Sequence, residues 1–122
     1  MKLLRVGPWG KEKVCALDNQ NKIRDLSSHI NDLNPGTLNL SNLTSWTKID
    51  LDKLPEINNN LRIGSCINKP SNILCIGLNY SLHAKQTGSK LPKYPIVFNK
   101  SPDCLQGPYD PIKKKKTQEK LD

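Results

Sequence analysis

The residues best suited to chemistry lie in one short stretch, CIGLNYSLHAKQTG, which runs from Cys75 to Gly88. An apolar run leads into Asn79 and Tyr80, and His83, one of the two histidines of the chain, follows three residues later. His83 and Gln86 are three positions apart, so on a helix they share a face. An imidazole can accept and release a proton, while amide and phenol groups can orient a polar substrate. The stretch is therefore a candidate element for proton transfer at the mouth of a cleft.

The same pattern also has a purely structural interpretation. In that interpretation Asn79 caps a helix, Tyr80 belongs to a core and His83 is a surface residue. An isolated histidine is more often structural than catalytic, so spacing alone favours this second interpretation. Both interpretations stay open on the pattern of residues.

The elements that would position these side chains can be predicted from the surrounding pattern. ILCIGLNY reads as a strongly apolar strand, and SLHAKQTG as one or two helical turns, with Ser81 as the N-cap and Gly88 as the stop. LPKYP is an extended, proline-punctuated loop, and IVFNK is a further strand. LRIGSCI, upstream of the stretch, also reads as a strand. Asn79 and Tyr80 would then lie where a strand gives way to a helix.

The N-terminal part of the chain has the pattern of a small β-sheet. KLLRV, VCAL and KIRDL are short apolar runs separated by turn residues, which predicts an antiparallel meander of three strands. SSHINDL predicts a helical turn capped by Ser27 or Ser28, with His29 on the surface. Residues 34–60 predict an Ω-like connection that is anchored by apolar side chains, namely Leu38, Leu40, Leu43 and Trp46.

The charge of the chain restricts what it can bind. The formal net charge is +8, but the basic residues are spread along the chain and are not interleaved with aromatic residues, which argues against nucleic-acid binding. Between Glu56 and Asp103 there is no carboxylate. Mg²⁺ and Ca²⁺ need carboxylate oxygens, so this segment cannot build a hard-metal site by itself. Its lysines are better suited to an anion, such as a substrate carboxylate.

The cysteines and the hydropathy pattern indicate the compartment. The four cysteines show no close pairing, and the N-terminus lacks a continuous apolar region of the signal-peptide type. Reduced and mostly buried thiols are therefore expected. No apolar run approaches the length of a membrane span, so we expect a soluble, cytoplasmic protein without a membrane partner.

Two motifs resemble a known family. CIGLNYSLHAKQTG followed by PKYPIVFNKSPDCLQGP is similar to the fumarylacetoacetate hydrolase family, whose members show G-x-N-Y-x-x-H-x-x-E and then P-x-x-F-x-K. Residues 1–30 resemble the small β-rich domain that precedes the catalytic domain in one branch. That branch includes proteins called ureidoglycolate lyase and homoprotocatechuate-pathway isomerase and decarboxylase. The resemblance covers essentially the whole chain.

The resemblance implies a fold, a cofactor and roles for individual residues. Members of the family are β-rolls that hold Mg²⁺ or Mn²⁺ and act on small keto or hydroxy carboxylic acids, often as dimers. By position, His83 would be the general base, with Gln86 beside it. Asn79 and Tyr80 would shape the substrate pocket, and Lys100 would face the anionic end of the substrate.

The chain departs from the family pattern in two places. Gln86 stands where the family has a Glu, and an amide cannot accept a proton, although it can still orient His83 by a hydrogen bond. The acidic E-x-E strand that carries the metal ligands in the family would begin about where the sequence TQEKLD ends the chain. We therefore expect no metal to bind this chain alone and little activity from it.

The predicted class is mostly β with short helices (α+β): a small antiparallel β domain and the truncated start of a β-roll. The predicted parts are residues 1–60, a β-rich domain with its connection; 61–112, the start of the catalytic domain; and 113–122, a mobile Lys-rich tail. The alternative function is a non-catalytic binding or assembly module, which would pair with a chain that carries the missing half.

Overall fold

The computed structural model of the protein describes residues 1–114, 116 and 117. Two compact units are present, each with its own internal packing. The first is built from residues 1–68 together with the described residues from Gln106 onward, and the second from residues 69–105. These units follow packing contacts only, so the predicted limits of the catalytic domain stay a prediction.

The first unit contains a four-stranded antiparallel sheet. Its strands are β1 (Lys2–Val6), β2 (Lys13–Leu17), β3 (Ile23–Asp25) and β4 (Glu56–Ile57), and they pair in the order β1-β2-β3-β4. The three-stranded meander predicted for the N-terminal part is thereby confirmed, with β4 as an additional strand. The predicted class, mostly strands with short helices, is also confirmed.

The turn between β2 and β3 follows from side-chain hydrogen bonding. The Asp18 carboxylate accepts hydrogen bonds from the backbone N–H groups of Gln20 at 2.8 Å and Lys22 at 2.9 Å. Asn21 adopts a φ of 60°, a left-handed conformation that asparagine tolerates better than most residues. The DNQN sequence therefore reverses the chain in the way its composition predicts.

The core of the first unit lies on both faces of the sheet. Because strand side chains alternate, the three central residues of β2 supply both faces, and all three are fully buried. The larger cluster consists of Val14, Ala16, Leu26, Ile30, Leu33 and Trp46. The smaller cluster on the other face consists of Val6, Cys15 and Ile23.

The connection after the meander contains a helix that the sequence did not predict. Helix α1 (Leu40–Trp46) begins after Asn39, whose side chain accepts a hydrogen bond from the Asn42 N–H at 2.9 Å. Trp46 is buried in the larger cluster, whereas Leu40 is 81% exposed and anchors nothing. A 3-10 turn at Leu51–Lys53 follows α1. The expected Ω-like connection is therefore wrong in form, although Trp46 and Leu38 do pack against the core.

Two smaller predictions about the first unit are also corrected. The turn at SSHI is capped by Asp25, whose carboxylate accepts from the Ser27 N–H at 2.8 Å, and not by Ser27 or Ser28. His29 is exposed, as predicted. The predicted strand LRIGSCI is only a single bridge between Val6 and Ile63, because the backbone leaves the sheet edge on either side of it.

The second unit is a two-stranded antiparallel sheet with a helix between its strands. β5 (Ile73–Gly77) pairs with β6 (Ile96–Lys100), and helix α2 (Ser81–Gln86) lies in the connection. Gly88 ends α2 as predicted, with a φ of 66°. The N–H of Ser89 donates to the carbonyl of Ala84 at 2.8 Å, which is the closing hydrogen bond of a Schellman motif.

The start of α2 differs from the prediction. Tyr80, not Ser81, is the N-cap residue, and no side-chain hydrogen bond caps the helix. Of the Lys-rich tail, Lys115 and residues 118–122 lie outside the described residues, so its predicted mobility stays a prediction. Among the residues that the structure describes, no helix has the length and apolar character that crossing a membrane requires.

Candidate functional site

The junction between β5 and α2 has a strained backbone. Leu78, directly after the last residue of β5, adopts a φ of 48°, in the left-handed region that costs a non-glycine residue roughly 1–2 kcal/mol. Strain of this kind is retained where it positions neighbouring groups. Here it turns the chain between the strand and Asn79.

Helix α2 carries both residues of the proposed proton-transfer pair. His83 and Gln86 are exposed and lie three positions apart on α2. Ala84, between them in sequence, is fully buried and holds the opposite side of the helix against the unit. An exposed imidazole can exchange protons with a substrate or with water, whereas the amide of Gln86 can only donate or accept hydrogen bonds.

Asn79 and Tyr80 are both placed at the junction, and both are exposed. Tyr80 is 74% exposed, so its interpretation as a core residue is wrong. Asn79 precedes the N-cap position, so its interpretation as a helix cap is also wrong. The third part of the purely structural interpretation, His83 as a surface residue, agrees with the exposure of His83. The predicted binding roles of Asn79 and Tyr80 stay predictions.

Lys100 lies far from these residues along the hairpin. Lys100 pairs with Ile73 at the start of β5, whereas Ile96 pairs with Gly77 at the end that leads to the junction. Four residue steps of an antiparallel strand span roughly 14 Å. The described residues therefore bring His83, Gln86, Asn79 and Tyr80 to one end of the hairpin and leave Lys100 at the other.

A cavity of about 450 Å³ lies beside the junction. Its polar side chains come from the junction, from the first residue of α2 and from the loop before β6. They are Asn79, Ser81, Lys93 and Tyr94, with Leu91 and Pro95 among the apolar lining. Of the predicted site residues, only Asn79 lines this cavity. Ser81 and Lys93 were not predicted, and the only sequence signal for Lys93 was its place in the carboxylate-free segment.

The described residues do not form a metal site. In the part of the chain that the structure describes, no three His, Cys, Asp or Glu side chains come together as ligands. The second unit contains a single carboxylate, Asp103, which follows Lys100 at the far end of the hairpin. The donor set beside His83 consists of amide, hydroxyl and amine groups, which does not fit Mg²⁺ or Mn²⁺.

An ion-pair network that the sequence did not predict lies in the first unit. Charged side chains alternate in the order Asp110, Arg62, Glu12, Arg5 and Asp32. Arg62 donates to Glu12 at 2.7 Å and to Asp110 at 2.6 Å, and Arg5 donates to Glu12 at 3.3 Å and to Asp32 at 2.8 Å. The side chain of Glu12 is only 5% exposed. The network ties the sheet to residues that lie far away in the sequence.

The network lowers the pKa values of its carboxylates. Burial alone would raise the pKa of Glu12, but hydrogen bonds, chiefly from Arg62, and the charge of Arg5 outweigh it and lower the pKa. The pKa of Asp32 is lowered in the same way, against burial, by hydrogen bonds from Asn68 and Leu33 and by Arg5. The hydrogen bond from Arg62 lowers the pKa of Asp110. All three carboxylates are thus stabilised in their charged form.

The cysteines only partly match the expectation. Burial raises the pKa of Cys15 to about 11, so this thiol is a core residue with little thiolate character. Cys66 and Cys104 are exposed, and Cys75 is partly buried. The expectation that the thiols are mostly buried is therefore wrong, since only Cys15 is buried. All four cysteines are free thiols, as expected.

Comparison with known proteins finds relatives whose names describe them as hydrolases. A protein of Burkholderia ambifaria named "Putative hydrolase" is 44% identical to this chain over 112 residues. Similarly named proteins of Burkholderia lata and Burkholderia multivorans are 43% and 42% identical over 112 residues. Each match covers 92% of this chain and 40% of the relative, so the chain spans about 40% of the length of these relatives. No family model matches the sequence.

Proposed function

We propose that the chain forms the N-terminal part of a fumarylacetoacetate hydrolase-like enzyme that acts on small keto or hydroxy carboxylic acids. The observation that carries this proposal is the junction after β5, where a strained turn, an exposed His83 and a cavity lie at one end of the hairpin. The similarity to proteins named as hydrolases gives hydrolysis precedence. Lyase, decarboxylase and isomerase chemistry, including a ureidoglycolate lyase-like reaction, are variants of the same proposal.

The residues of this chain would bind the acid and move a proton. In hydrolysis of an acylpyruvate, water adds to the acyl carbonyl, the carbon–carbon bond breaks and two carboxylic acids form. His83 would accept the proton of the attacking water. Gln86 would orient the imidazole through a hydrogen bond but could not stabilise its positive charge. Asn79 and Tyr80 would hold the substrate at the end of the hairpin.

The divalent metal of this proposal has no ligand set among the described residues. The carboxylates that Mg²⁺ or Mn²⁺ requires would have to come from polypeptide that corresponds to the remaining length of the relatives. We therefore expect the 122-residue chain alone to have little or no activity.

A second candidate function is that of a binding or assembly module. Among the described residues, no further strand pairs with the hairpin of β5 and β6, so both of its edges are open, and apolar side chains are exposed on both faces. Leu74 is 67% exposed and Val97 59% on one face, and Phe98 is exposed on the other. Such a hairpin is marginally stable alone and invites further strands. A chain that carries the missing half, or a second copy, would supply them.

A chimaera tests the enzymatic proposal. The 122-residue chain is joined to the portion of the Burkholderia ambifaria relative that lies beyond the match, and hydrolysis of acylpyruvates is measured with and without Mg²⁺. We expect metal-dependent hydrolysis by the chimaera and none by the chain alone. The full-length relative serves as the positive control. If the relative is active and the folded chimaera is not, the enzymatic proposal fails.

Co-expression tests the assembly module. The same C-terminal portion is supplied as a separate polypeptide and co-purified with the chain. Stable association without turnover favours the module over the enzyme. Absence of association, with a folded partner, removes the module as an explanation of the exposed hairpin.

A further inference from the structure

The cavity beside the junction has the size and lining of a site for a small molecule. Its volume of about 450 Å³ lies in the range of small-ligand sites, which combine apolar walls with a few convergent polar groups. The apolar part includes Leu91 and Pro95, and the polar groups come from two separate segments of the second unit, residues 76–81 and 91–95. Because these segments are separate in sequence, the polar groups come together only through the tertiary structure of the second unit.

The electrostatics of the cavity select for an anion. Lys93 contributes an ammonium group, and none of the described carboxylates lines the cavity. The second unit as a whole carries five lysines and one aspartate, which gives it a formal charge of +4. The aspartate is Asp103, three residues after Lys100 and thus at the opposite end of the hairpin. Within the second unit, no carboxylate therefore competes with a bound anion beside Lys93.

The polar groups of the cavity are available for hydrogen bonding. Within the described residues, the side chains of Asn79, Ser81 and Lys93 have no hydrogen-bond or ion-pair partner, and the Lys93 ammonium lies 5.4 Å from the centroid of the Tyr94 ring. A carboxylate offers about four lone-pair sites, which an ammonium, an amide and a hydroxyl group can occupy together. Hydrogen bonds to an ionised acceptor are the stronger kind.

We propose that this cavity binds the carboxylate of the substrate, with Lys93 as the charged contact and Ser81 and Asn79 as hydrogen-bond donors. The inference rests on the proposed function and makes it more specific. It assigns the anionic end of the substrate to Lys93, whereas the family resemblance assigned it to Lys100. It also places that end beside the residue that begins α2, two positions before His83.

The test uses the 122-residue chain without metal and with sodium pyruvate as the probe. Backbone amide shifts are followed by NMR during the titration. We expect saturable shifts at Asn79 and Ser81. Lys93→Gln should raise the apparent Kd about tenfold, because a charge-assisted contact is lost. Lys93→Arg keeps the charge, so its apparent Kd should be close to that of the parent chain.

Lys90→Gln is the matched control, since Lys90 is an exposed lysine of the same connection that does not line the cavity. We expect its Kd to equal that of the parent chain. Lys100→Gln tests whether Lys100 is the anion contact instead. If it weakens pyruvate binding as much as Lys93→Gln does, or more, the proposal is overturned. Shifts that do not saturate, or shifts that sodium chloride at equal ionic strength reproduces, would also overturn it.

The binding test and the hydrolysis test fail separately. Pyruvate binding requires neither a metal nor turnover, so an inactive chimaera would leave a Lys93-dependent Kd intact. Conversely, an active chimaera whose KM for an acylpyruvate is unchanged by Lys93→Gln would support the enzyme and overturn this carboxylate site.

Discussion

Arg62 and Asp110 form a two-pronged ion pair across 48 residues of sequence. The Nε of Arg62 lies 2.7 Å from Oδ1 of Asp110, and its Nη2 lies 2.6 Å from Oδ2. The Asp110 carboxylate also accepts a hydrogen bond from the Gly107 N–H at 2.7 Å, which closes the GPYD turn. Within the first unit, the Asp110 carboxylate thus links the segment after Gln106 to Arg62.

Asp110→Asn should loosen this attachment. The amide keeps the size of the side chain but loses the negative charge and one of the two acceptor oxygens that Arg62 uses. We expect a lower urea midpoint for unfolding of the chain. Glu56→Gln is the control, because the Lys22–Glu56 pair is largely exposed and should contribute little. Equal midpoints for the two variants would contradict the proposed attachment.

Glu12→Gln should be more damaging than its conservative size suggests. Glu12 is buried between two guanidinium groups, and the neutral amide would leave Arg5 and Arg62 with fewer acceptors. Loss of a buried charge-assisted hydrogen bond costs about 1–3 kcal/mol. The free energy of unfolding, measured by urea denaturation at neutral pH, should fall by about that amount. Arg5 keeps Asp32 as a partner and Arg62 keeps Asp110, so the fold should persist.

The same network predicts how stability depends on pH. The pKa values of Glu12, Asp32 and Asp110 are lowered on folding from ordinary values of 4.5 for Glu and 3.8 for Asp. Their contribution is therefore fully present above those ordinary values and is lost as the pH falls through the lower, folded values. We expect constant stability from about pH 7 to about pH 5 and a steep decline below about pH 4. Urea midpoints measured across this range check the expectation.

The double variant Glu12→Gln, Asp32→Asn provides the internal check for the pH dependence. It should be less stable than the parent at neutral pH and should show a shallower decline in acid. A decline as steep as that of the parent would assign the acid sensitivity to other carboxylates, such as Asp18 or Asp25, whose pKa values are also lowered.

Strands β1, β2, β3 and β6 were predictable because each is a short run rich in apolar residues and bounded by turn residues. The two-residue strand β4 was not predicted, and the predicted strand LRIGSCI forms only a single bridge. β1 was predicted at its observed limits, and β2 and β3 within one residue at each end. Helix α1 was missed because it is only seven residues long, which is too short for the spacing of Leu40, Leu43 and Trp46 to establish a helical period. Its start was nevertheless signalled by Asn39, a good N-cap residue.

The candidate site was predictable only where its residues are close in sequence. His83, Gln86, Asn79 and Tyr80 lie within eight positions, so one strand-to-helix junction collects them. The ion network joins residues 27, 48 and 50 positions apart, and no local pattern reveals such partners. The distance of Lys100 from the junction could have been predicted from the sequence. Antiparallel pairing of β5 and β6 puts the end of β6 beside the start of β5.

Leu26→Ala tests whether the predicted meander supplies the core of the first unit. Leu26 is fully buried in the larger cluster, so truncation would remove apolar contacts and leave a cavity. We expect a loss of about 2–5 kcal/mol in the free energy of unfolding, which could unfold so small a unit. Leu40→Ala is the matched control, because Leu40 is exposed and its truncation should cost little. Circular dichroism and urea denaturation would separate the two outcomes.

Gln86→Glu tests the proposed role of α2 directly. In the chimaera with the Burkholderia ambifaria portion, a carboxylate at position 86 would stabilise the protonated imidazole of His83, which the amide cannot do. We expect kcat/KM for an acylpyruvate to rise about tenfold, and His83→Gln to lower kcat by about a hundredfold or more. Gln20→Glu, at an exposed turn of the first unit, is the control for the added charge and should leave kcat unchanged. An unaltered kcat in His83→Gln would show that α2 does not carry the base. A loss in His83→Gln without a gain in Gln86→Glu would mean that Gln86 orients His83 as well as a carboxylate would.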